Sequence, residues 1–373
     1  MKKILALILA LVMALSLVAC GEKQPETPDE PEYKVAMVTD YGDITDQSFN
    51  QTTYEACKAY AEANNVEFTY YKPAGDSDAE RVAMIEKAVD EGYNVIVLPG
   101  FAFASAIATA APQYPDVKFI ALDVELTADT YSNVYSAIYQ EELCGYMAGY
   151  AAVKLGYTKL GFLGGMAVPA VQKFGYGFVQ GADAAAKEMG INIDMNYIYG
   201  GLFYGTADIT AVMDTWYQGG TEVVFSCGGG IYTSAVDAAK KVEGTKVIGV
   251  DVDQAGVIAN YAGMSDKSLT VTSAMKGLYP TTVDTLTDVI NNGNWAKYAG
   301  KVATLGLVSG DDPTANYVQI PMESTQWSDT FTQDDYKAMV KAMFDGTIVV
   351  SGDVSAEPAV TNVNVDYQGQ IVG

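Results

Sequence analysis

Three aspartates follow the first apolar run of the chain and are the first residues that could do chemistry. Asp40, Asp43 and Asp46 come directly after KVAMVT, and no basic residue separates them. A metal ion, a neutral polar ligand or water could face such a loop. A metal is disfavoured because no glutamate closes a twelve-residue calcium loop. Asp43 and Asp46 could equally cap a following helix, where negative charge is favourable, whereas Asp40 at a strand end is placed to accept hydrogen bonds from a ligand.

Two later carboxylates repeat the position of Asp40. Asp123 closes the run KFIALD and Asp251 closes KVIGVD, so each follows an apolar segment that is typical of a buried strand. The carboxyl ends of parallel strands form the ligand-binding edge of an open α/β sheet. A single aspartate there could be a turn former, but a set of three predicts one polar cleft. Because two carboxylate oxygens can bridge a vicinal diol, a sugar or a ribose is a suitable ligand.

A glycine loop and three isolated side chains extend the candidate site. Gly228 lies in SCGGGIYTSA, between a predicted strand and a predicted helix, where backbone can approach a ligand closely. A tight turn without a ligand is an equal alternative, because the loop matches neither G-x-G-x-x-G nor a P-loop. Tyr232 could stack on a flat ligand. Phe174 is a second aromatic candidate or a core residue, and Lys276 is a donor beside the carboxylates or a solvated surface charge.

The composition of the chain excludes several classes of function. A net charge of −24 argues against nucleic acid as a partner, since phosphate binding needs a basic face. Arg81 is the only arginine, which disfavours highly anionic ligands that need a guanidinium fork. The absence of histidine excludes Ser-His-Asp and Cys-His nucleophiles and the common zinc sites. Cys57, Cys144 and Cys227 lack metal-ligand spacing and are expected to be free buried thiols, so no metal and no cofactor are predicted.

Short apolar runs alternate with helical patterns and predict an α/β protein. Several runs are continuously apolar, as are strands buried on both faces of a parallel sheet. Strands are predicted at 34–39, 67–71, 95–98, 118–122 and 134–139, and then at 159–163, 196–199, 222–226 and 246–250. One helix is predicted to begin at Ser48, where Ser48 and Gln51 have capping-box spacing, and others at 78–91, 207–218, 276–291 and 334–344. Repeated strand–helix–strand units form doubly wound sheets.

The two series of strands predict two lobes with a central cleft. The pattern changes near Gly156, so the first lobe is predicted to span 34–155 with part of 276–300. The second lobe is predicted to span 156–275 with part of 301–373. Lobes of this kind place their ligand loops beyond the carboxyl ends of the strands.

The N-terminal segment has the layout of a secretory signal peptide. A basic start, Lys2 and Lys3, precedes an apolar stretch that ends at small residues. The stretch LVAC resembles a lipobox, which implies removal of residues 1–19 and lipidation of Cys20. An ordinary cleaved signal with an incidental cysteine is the alternative. Residues 20–33, rich in proline and acidic side chains, are then a flexible tether that holds the protein to the extracytoplasmic face of the cell membrane.

Six stretches occur in a characteristic order between residues 34 and 293: VTDYGDITDQSFNQ, ALDV, GGMAVPAVQKFGYGFVQG, FSCGGGIYTSAVDAA, VIGVDVDQ and TSAMKG. Together they resemble the basic membrane protein family of bacterial substrate-binding lipoproteins, of the purine nucleoside receptor type. The resemblance implies a type I periplasmic-binding-protein fold, with a ligand in the cleft between two α/β lobes. Such proteins are not enzymes and deliver a solute to the permease of an ABC transporter.

The same resemblance implies roles for particular residues. Characterised members mostly bind nucleosides. Phe49 of the SFN motif would stack on the base, and Asp123 would bind the base edge. Asp251 and Lys276 would hold the ribose.

The resemblance implies further contacts in the cleft, and the sequence leaves other functions open. Asp40 and Asn50 would add polar contacts in the first lobe. The second stacking aromatic would be Tyr232 or Phe174, because the glycine loop is shorter here than is usual in the family.

Three alternative functions are a binding protein for a free sugar or another neutral polyol, a metal-dependent nucleoside hydrolase, and a sensor lobe that presents its ligand to a membrane partner. The protein is expected to be a monomer.

Overall fold

The computed structural model describes residues 32–40, 42–126 and 131–372. The predicted signal peptide, the predicted lipidation site Cys20 and most of the predicted tether lie outside the described residues. Within the described ranges, none of the helices combines the length and the apolar composition needed to cross a bilayer.

Six strands form the first sheet, and all of its neighbouring strands are parallel. They are β1 (Lys34–Val38), β2 (Glu67–Tyr71), β3 (Val95–Pro99), β4 (Lys118–Leu122), β5 (Val134–Tyr139) and β11 (Lys301–Leu305). Their order in the sheet is β11-β5-β4-β3-β1-β2. The central strands β3 and β4 are almost wholly buried, which explains their continuously apolar sequences VIVLP and KFIAL.

Four helices pack with the first sheet. They are α1 (Phe49–Asn64), α2 (Asp78–Asp90), α3 (Phe103–Ala110) and α9 (Leu278–Leu286). α2 begins at a capping box in which the Ser77 hydroxyl accepts from the Glu80 backbone N–H. α9 packs on α1 and continues into a π-helical turn at Thr287–Asn291, so the helix predicted at 276–291 is confirmed.

Seven strands form the second sheet. They are β6 (Lys159–Gly164), β7 (Ile193–Tyr199), β8 (Val223–Cys227), β9 (Lys246–Asp251), β10 (Thr270–Lys276), β12 (Val318–Gln319) and β13 (Val363–Gln370). Their order is β12-β10-β9-β8-β6-β7-β13. The edge strand β12 is antiparallel to β10, and every other neighbouring pair in this sheet is parallel.

The remaining helices are α4 (Glu141–Lys154), α5 (Pro169–Met189), α6 (Ala207–Gln218), α7 (Tyr232–Ala239), α8 (Ala255–Ala262) and α10 (Gln333–Phe344). The apolar stripe predicted for α6 is buried, with Ile209, Met213 and Trp216 in the core of the second half. Pro169 begins α5, because its fixed φ and missing N–H are tolerated at a first helical position.

The boundary between the two halves in the structure differs from the predicted one. α4 follows β5 directly, yet it packs on α5 and on β10 of the second half, so the first crossing is at Gln140 rather than near Gly156. The chain returns to the first half after Lys276, where α9 begins, and leaves it again after β11. The sequence pattern of α4 could not show this, because it indicates a helix without indicating which sheet covers it.

Four glycines allow α4 and α5 to pack with their backbones in contact. Gly145 and Gly149 of α4 face the carbonyl oxygens of Phe174 and Phe178 on α5. Gly177 and Gly181 of α5 face carbonyl oxygens of α4 in the same way. A Cβ atom added at Gly177 would lie only 2.1 Å from the Glu142 carbonyl oxygen. Since such an approach involves backbone, a side chain there can be accommodated only if the helices separate.

We expect Gly177→Ala to lower the free energy of unfolding by about 1–3 kcal/mol, because overpacking forces the two helices apart. Gly256→Ala is the matched control, since Gly256 is exposed on α8 and its added Cβ would approach only the Lys267 side chain, at 3.8 Å. That substitution is expected to be neutral or to stabilise through helix propensity. Urea denaturation of both variants measures the difference, and equal midpoints would contradict the close packing.

Candidate functional site

One cavity lies where the carboxyl ends of the two sheets face each other, with an empty volume of about 650 Å³ that is partly open to solvent. Its walls include eight of the nine site residues predicted from the sequence: Asp40, Phe49, Asn50, Asp123, Phe174, Gly228, Asp251 and Lys276. These residues come from the loop after β1, from the start of α1, from α5 and from the ends of β4, β8, β9 and β10. The topology therefore brings together residues that are more than two hundred positions apart in the sequence.

The ends of β4 and β9 turn sharply at their aspartates. Asp123 has φ of 59° and Asp251 has φ of 65°, both in the left-handed region. An aspartate occupies this region more readily than most residues do, because its short polar side chain can bond locally. Each strand therefore ends on a carboxylate at the sheet edge that borders the cavity.

Lys276 lies at the centre of a buried charge cluster. Its Nζ donates to Asp123 Oδ2, lies 3.4 Å from Glu141 Oε1 and lies 3.8 Å from Asp251 Oδ1. Burial alone would lower the pKa of Lys276, but Asp123, Asp251 and Glu141 together raise that pKa well above its ordinary value. The lysine is therefore a permanent cation, and its ammonium joins strand ends from both halves.

The carboxyl groups around Lys276 outnumber it. Burial raises the pKa of Glu141 to about 8, against the opposing effect of Lys276, and burial also raises the pKa of Asp251. Burial therefore favours the neutral form of Glu141, which reduces the excess of negative charge. Sequence reasoning missed Glu141 because an acidic residue in the first turn of a helix ordinarily needs no ligand to explain it.

Aromatic rings from both halves border the ammonium group. The Lys276 Nζ atom lies 4.8 Å from the ring centroid of Phe49 and 5.5 Å from that of Phe174. A cation at such distances is attracted by a ring face. Phe174 also packs edge-on against Phe225, so it contacts both the core and the cavity.

Tyr232 is the one predicted ligand-binding residue that is not among those lining the cavity. Its ring is buried in the core of the second half, where it packs edge-on against Tyr261 with centroids 5.8 Å apart. The glycine loop turns so that Gly228 and Gly229 face the cavity and the next helix directs Tyr232 inward. Of the two predicted alternatives for a second aromatic, only Phe174 contributes to the walls.

Two aromatic residues of the cavity were missed from the sequence. Phe101 follows β3 and Phe203 follows β7, and their ring centroids lie 6.5 Å apart across the two halves. Both belong to irregular loops, where periodicity carries no information. The available signal was an aromatic residue a few positions beyond a buried strand, in VLPGF and in YIYGGLF.

The acidic loop after β1 divides into structural and cavity-lining residues. Asp46 accepts hydrogen bonds from the backbone N–H groups of Ser48, Asn50 and Gln51, at 2.9, 2.9 and 3.1 Å, so it satisfies the start of α1. Burial raises the pKa of Asp46. Asp46 also reaches the wall of the cavity. Asp40 lines the cavity as well and accepts from Asn50 Nδ2 at 3.0 Å.

Asp43, Ser48 and Gln51 make structural contacts in this part of the chain. Asp43 pairs with Lys72 near the surface, and its hydrogen bond to that lysine lowers its pKa. The predicted capping box between Ser48 and Gln51 does not form, because Asp46 provides the cap.

The two halves are in direct contact around the cavity. Ser48 Oγ donates to Asp251 Oδ2 at 2.6 Å, and Gln254 Nε2 donates to the Gln47 carbonyl at 3.1 Å. On the other side, Lys173 of α5 pairs with Glu125 of the first half at 3.1 Å. The halves are therefore joined by direct polar contacts around the cavity.

Over the ranges that the structure describes, no group of three or more cysteine, aspartate and glutamate side chains is arranged to hold a metal ion. Cys57, Cys144 and Cys227 are free and buried, as predicted. Burial raises the pKa of each thiol.

The chain was compared with known proteins. Residues 33–346 match the family model of ABC transporter substrate-binding proteins that are PnrA-like, named Bmp. The ABC transporter nucleoside-binding protein BmpA of Lactococcus lactis is 29% identical over 75% of this chain and 80% of its own length. An uncharacterized lipoprotein of Pyrococcus furiosus is 26% identical over 83% of this chain and 77% of its own length.

A crystal structure of ABC transporter system solute-binding proteins from Aeropyrum pernix K1 is similar in fold. It aligns with a TM-score of 0.66 and 22% identity over 85% of this chain and 87% of that chain. The predicted type I periplasmic-binding-protein fold is thereby confirmed. Proteins of the matched family bind a solute for a transporter permease and are not enzymes. The fold of this chain, its cleft and the match of residues 33–346 to the family model agree. They show that this chain belongs to the PnrA-like family of ABC transporter substrate-binding proteins.

Proposed function

We propose that this protein captures a nucleoside, with purine nucleosides favoured, and delivers it to the permease of an ABC importer. The observation that carries the proposal is the Lys276 cluster, in which one ammonium and several carboxylates lie beside two phenyl rings in a single cavity. The rings suit a flat base, and the charged groups suit the hydroxyls of a ribose.

The charge of the cavity favours a neutral ligand. Lys276 is the only basic residue among the residues that line it, and its charge is already matched by the carboxylates. A nucleotide would bring its phosphate next to Asp40, Asp46 and Asp251 without a compensating guanidinium. A nucleoside brings only donors and acceptors that can be satisfied locally.

Both halves contribute residues to the proposed recognition. Phe49 and Phe174 stack on the base, each stacking contact contributing about 1–3 kcal/mol. Asp123 accepts from the base edge, while Asp251 and Lys276 bind the ribose hydroxyls. Asp40 and Asn50 add polar contacts, and the backbone at Gly228, which lines the cavity, is available to bond the ligand.

The protein acts as a monomer held to the outer face of the cell membrane by lipid on Cys20. Similarity to a lipoprotein and the LVAC stretch support this anchor. Metabolic labelling with a fatty-acid analogue is expected to mark the wild type and to leave Cys20→Ser unlabelled. Labelling of both proteins would argue for a different attachment.

Binding should be measured first with a panel of nucleosides. Since a ligand that binds only the folded state stabilises it, a hundredfold excess over Kd adds about 2.7 kcal/mol to the free energy of unfolding. Adenosine, guanosine and inosine are expected to raise the Tm by several degrees, and more than cytidine and uridine. The protein must be unfolded and refolded beforehand so that any ligand retained from the cell is removed.

Free sugars provide the contrasting result. Ribose and galactose are expected to leave the Tm unchanged, because they cannot stack between two rings. A shift with either sugar, together with no shift for any nucleoside, would assign the cavity to a free sugar instead.

A further inference from the structure

A second cavity adjoins the first behind Asp123. Its empty volume is about 550 Å³, and it shares Phe101, Asp123 and Ala170 with the first cavity. Asp123 therefore lies in the boundary between the two spaces. The second cavity extends from this carboxylate toward the surface between the halves.

The walls of the second cavity are apolar, while its outer end is charged. Ala104, Ile138 and Pro169 lie along its length. Lys173 and Glu125 line it too, and their ion pair at 3.1 Å joins the two halves with the Glu125 side chain half-exposed. An apolar passage with a polar opening suits an alkyl or aryl group better than it suits a second charged ligand.

Two buried oxygens at the inner end have no hydrogen-bond donor within the described part of the chain. They are Asp123 Oδ1 and Glu141 Oε2, and both residues line the second cavity. The other oxygen of each carboxyl group faces Lys276. Because a buried acceptor without a donor is costly, Asp123 Oδ1 indicates a ligand that donates a hydrogen bond at this point. Glu141 Oε2 indicates a second polar group of the ligand beside it.

From these observations we infer that the site takes purine nucleosides whose exocyclic amino group carries an alkyl or aryl substituent. The inference rests on the proposed function, in which Asp123 accepts from the base edge. A secondary amine keeps one N–H, which bonds Asp123, and projects its substituent past that carboxylate into the second cavity. A hydroxyl on the substituent would satisfy Glu141 as well.

The test compares adenosine with N6-benzyladenosine by isothermal titration calorimetry. The wild type is expected to bind N6-benzyladenosine at least as tightly as adenosine. Ala104→Leu fills the second cavity without touching the first and is expected to weaken N6-benzyladenosine about tenfold. Adenosine should keep its affinity for that variant, which also shows that the variant is folded.

Ala108→Leu is the matched control, because Ala108 lies one turn further along α3 and is exposed. It should leave both affinities unchanged. If the wild type binds adenosine but rejects N6-benzyladenosine, or if Ala104→Leu weakens both ligands equally, the second cavity is not a subsite and the proposed function stands. If the wild type binds neither nucleoside, this inference fails, and the proposed function fails as well only if guanosine, inosine, cytidine and uridine also leave the Tm unchanged.

Discussion

Replacing Lys276 with methionine should abolish nucleoside binding and lower the free energy of unfolding by about 3–5 kcal/mol, since it breaks a buried ion pair by removing one partner. The methionine fills a similar volume but leaves Asp123, Asp251 and Glu141 without a cation. Asp251 and Glu141 are buried and the Asp123 side chain is only 9% exposed, so water can compensate little of the negative charge that this cluster carries. The ribose hydroxyls would also lose a donor.

The loss of stability should depend on pH with a defined sign. In the wild type, the pKa of Glu141 is raised to about 8, so the folded state binds more protons than the unfolded state above the unfolded pKa of about 4.3. The free energy of unfolding therefore falls as the pH rises from about 4.3, the unfolded pKa, to about 8, the folded pKa. Lys276 opposes the rise in the pKa of Glu141 and of Asp251, so its removal raises both and makes the fall steeper.

Urea denaturation at pH 5 and pH 8 measures this effect. The difference between wild type and Lys276→Met should be larger at pH 8 than at pH 5. Lys241→Met is the control, because Lys241 pairs with Asp214 at the surface, where an ion pair contributes at most about 1 kcal/mol. A Lys276 variant as stable as the control, with unchanged affinity, would show that the cluster is unimportant to fold and ligand.

Replacing Asp251 with asparagine is expected to weaken nucleosides about tenfold to hundredfold and to leave free bases almost unaffected. The substitution removes the charge that we propose accepts from the ribose hydroxyls. It preserves the size of the side chain and keeps an oxygen that can accept from Ser48. Calorimetry with adenosine and adenine separates the two ligands, and an equal loss for both would refute a ribose role.

Ser48→Ala distinguishes ligand binding from closure of the halves. It removes the 2.6 Å hydrogen bond to Asp251 but leaves the carboxylate in the cavity. Since this bond joins the halves, its loss is expected to weaken adenosine and adenine by the same factor. A selective loss for adenosine would instead place Ser48 beside the ribose.

The parts of the fold that depend on local pattern could be predicted from the sequence. The strands at 118–122 and 134–139 have their predicted bounds, and the aspartates that follow the predicted strands at 118–122 and 246–250 lie in the same cavity. Buried parallel strands have a strong apolar signal, and their carboxyl ends must meet at one edge. For the lysine after TVTSAM the pattern left two alternatives, a donor beside the carboxylates and a solvated surface charge, and Lys276 lies beside the carboxylates.

The parts that depend on distant partners could not be predicted. The edge strand β11 is only partly buried, so KVATL carries a weak pattern. α4 carries no indication that its glycines meet those of α5. The directions of the Tyr232 and Phe203 side chains could not be predicted either, because packing in the second half sets the direction of a side chain in or after a loop.

The strand β11 is synthesised long after the strand that it covers. It covers β5, whose residues leave the ribosome more than 160 positions earlier. Until Leu305 emerges, the nascent first sheet exposes the unpaired backbone of β5, an edge to which another chain could add. A gene fragment that stops short of this strand should accumulate as insoluble aggregate, however complete its upstream apolar segments are.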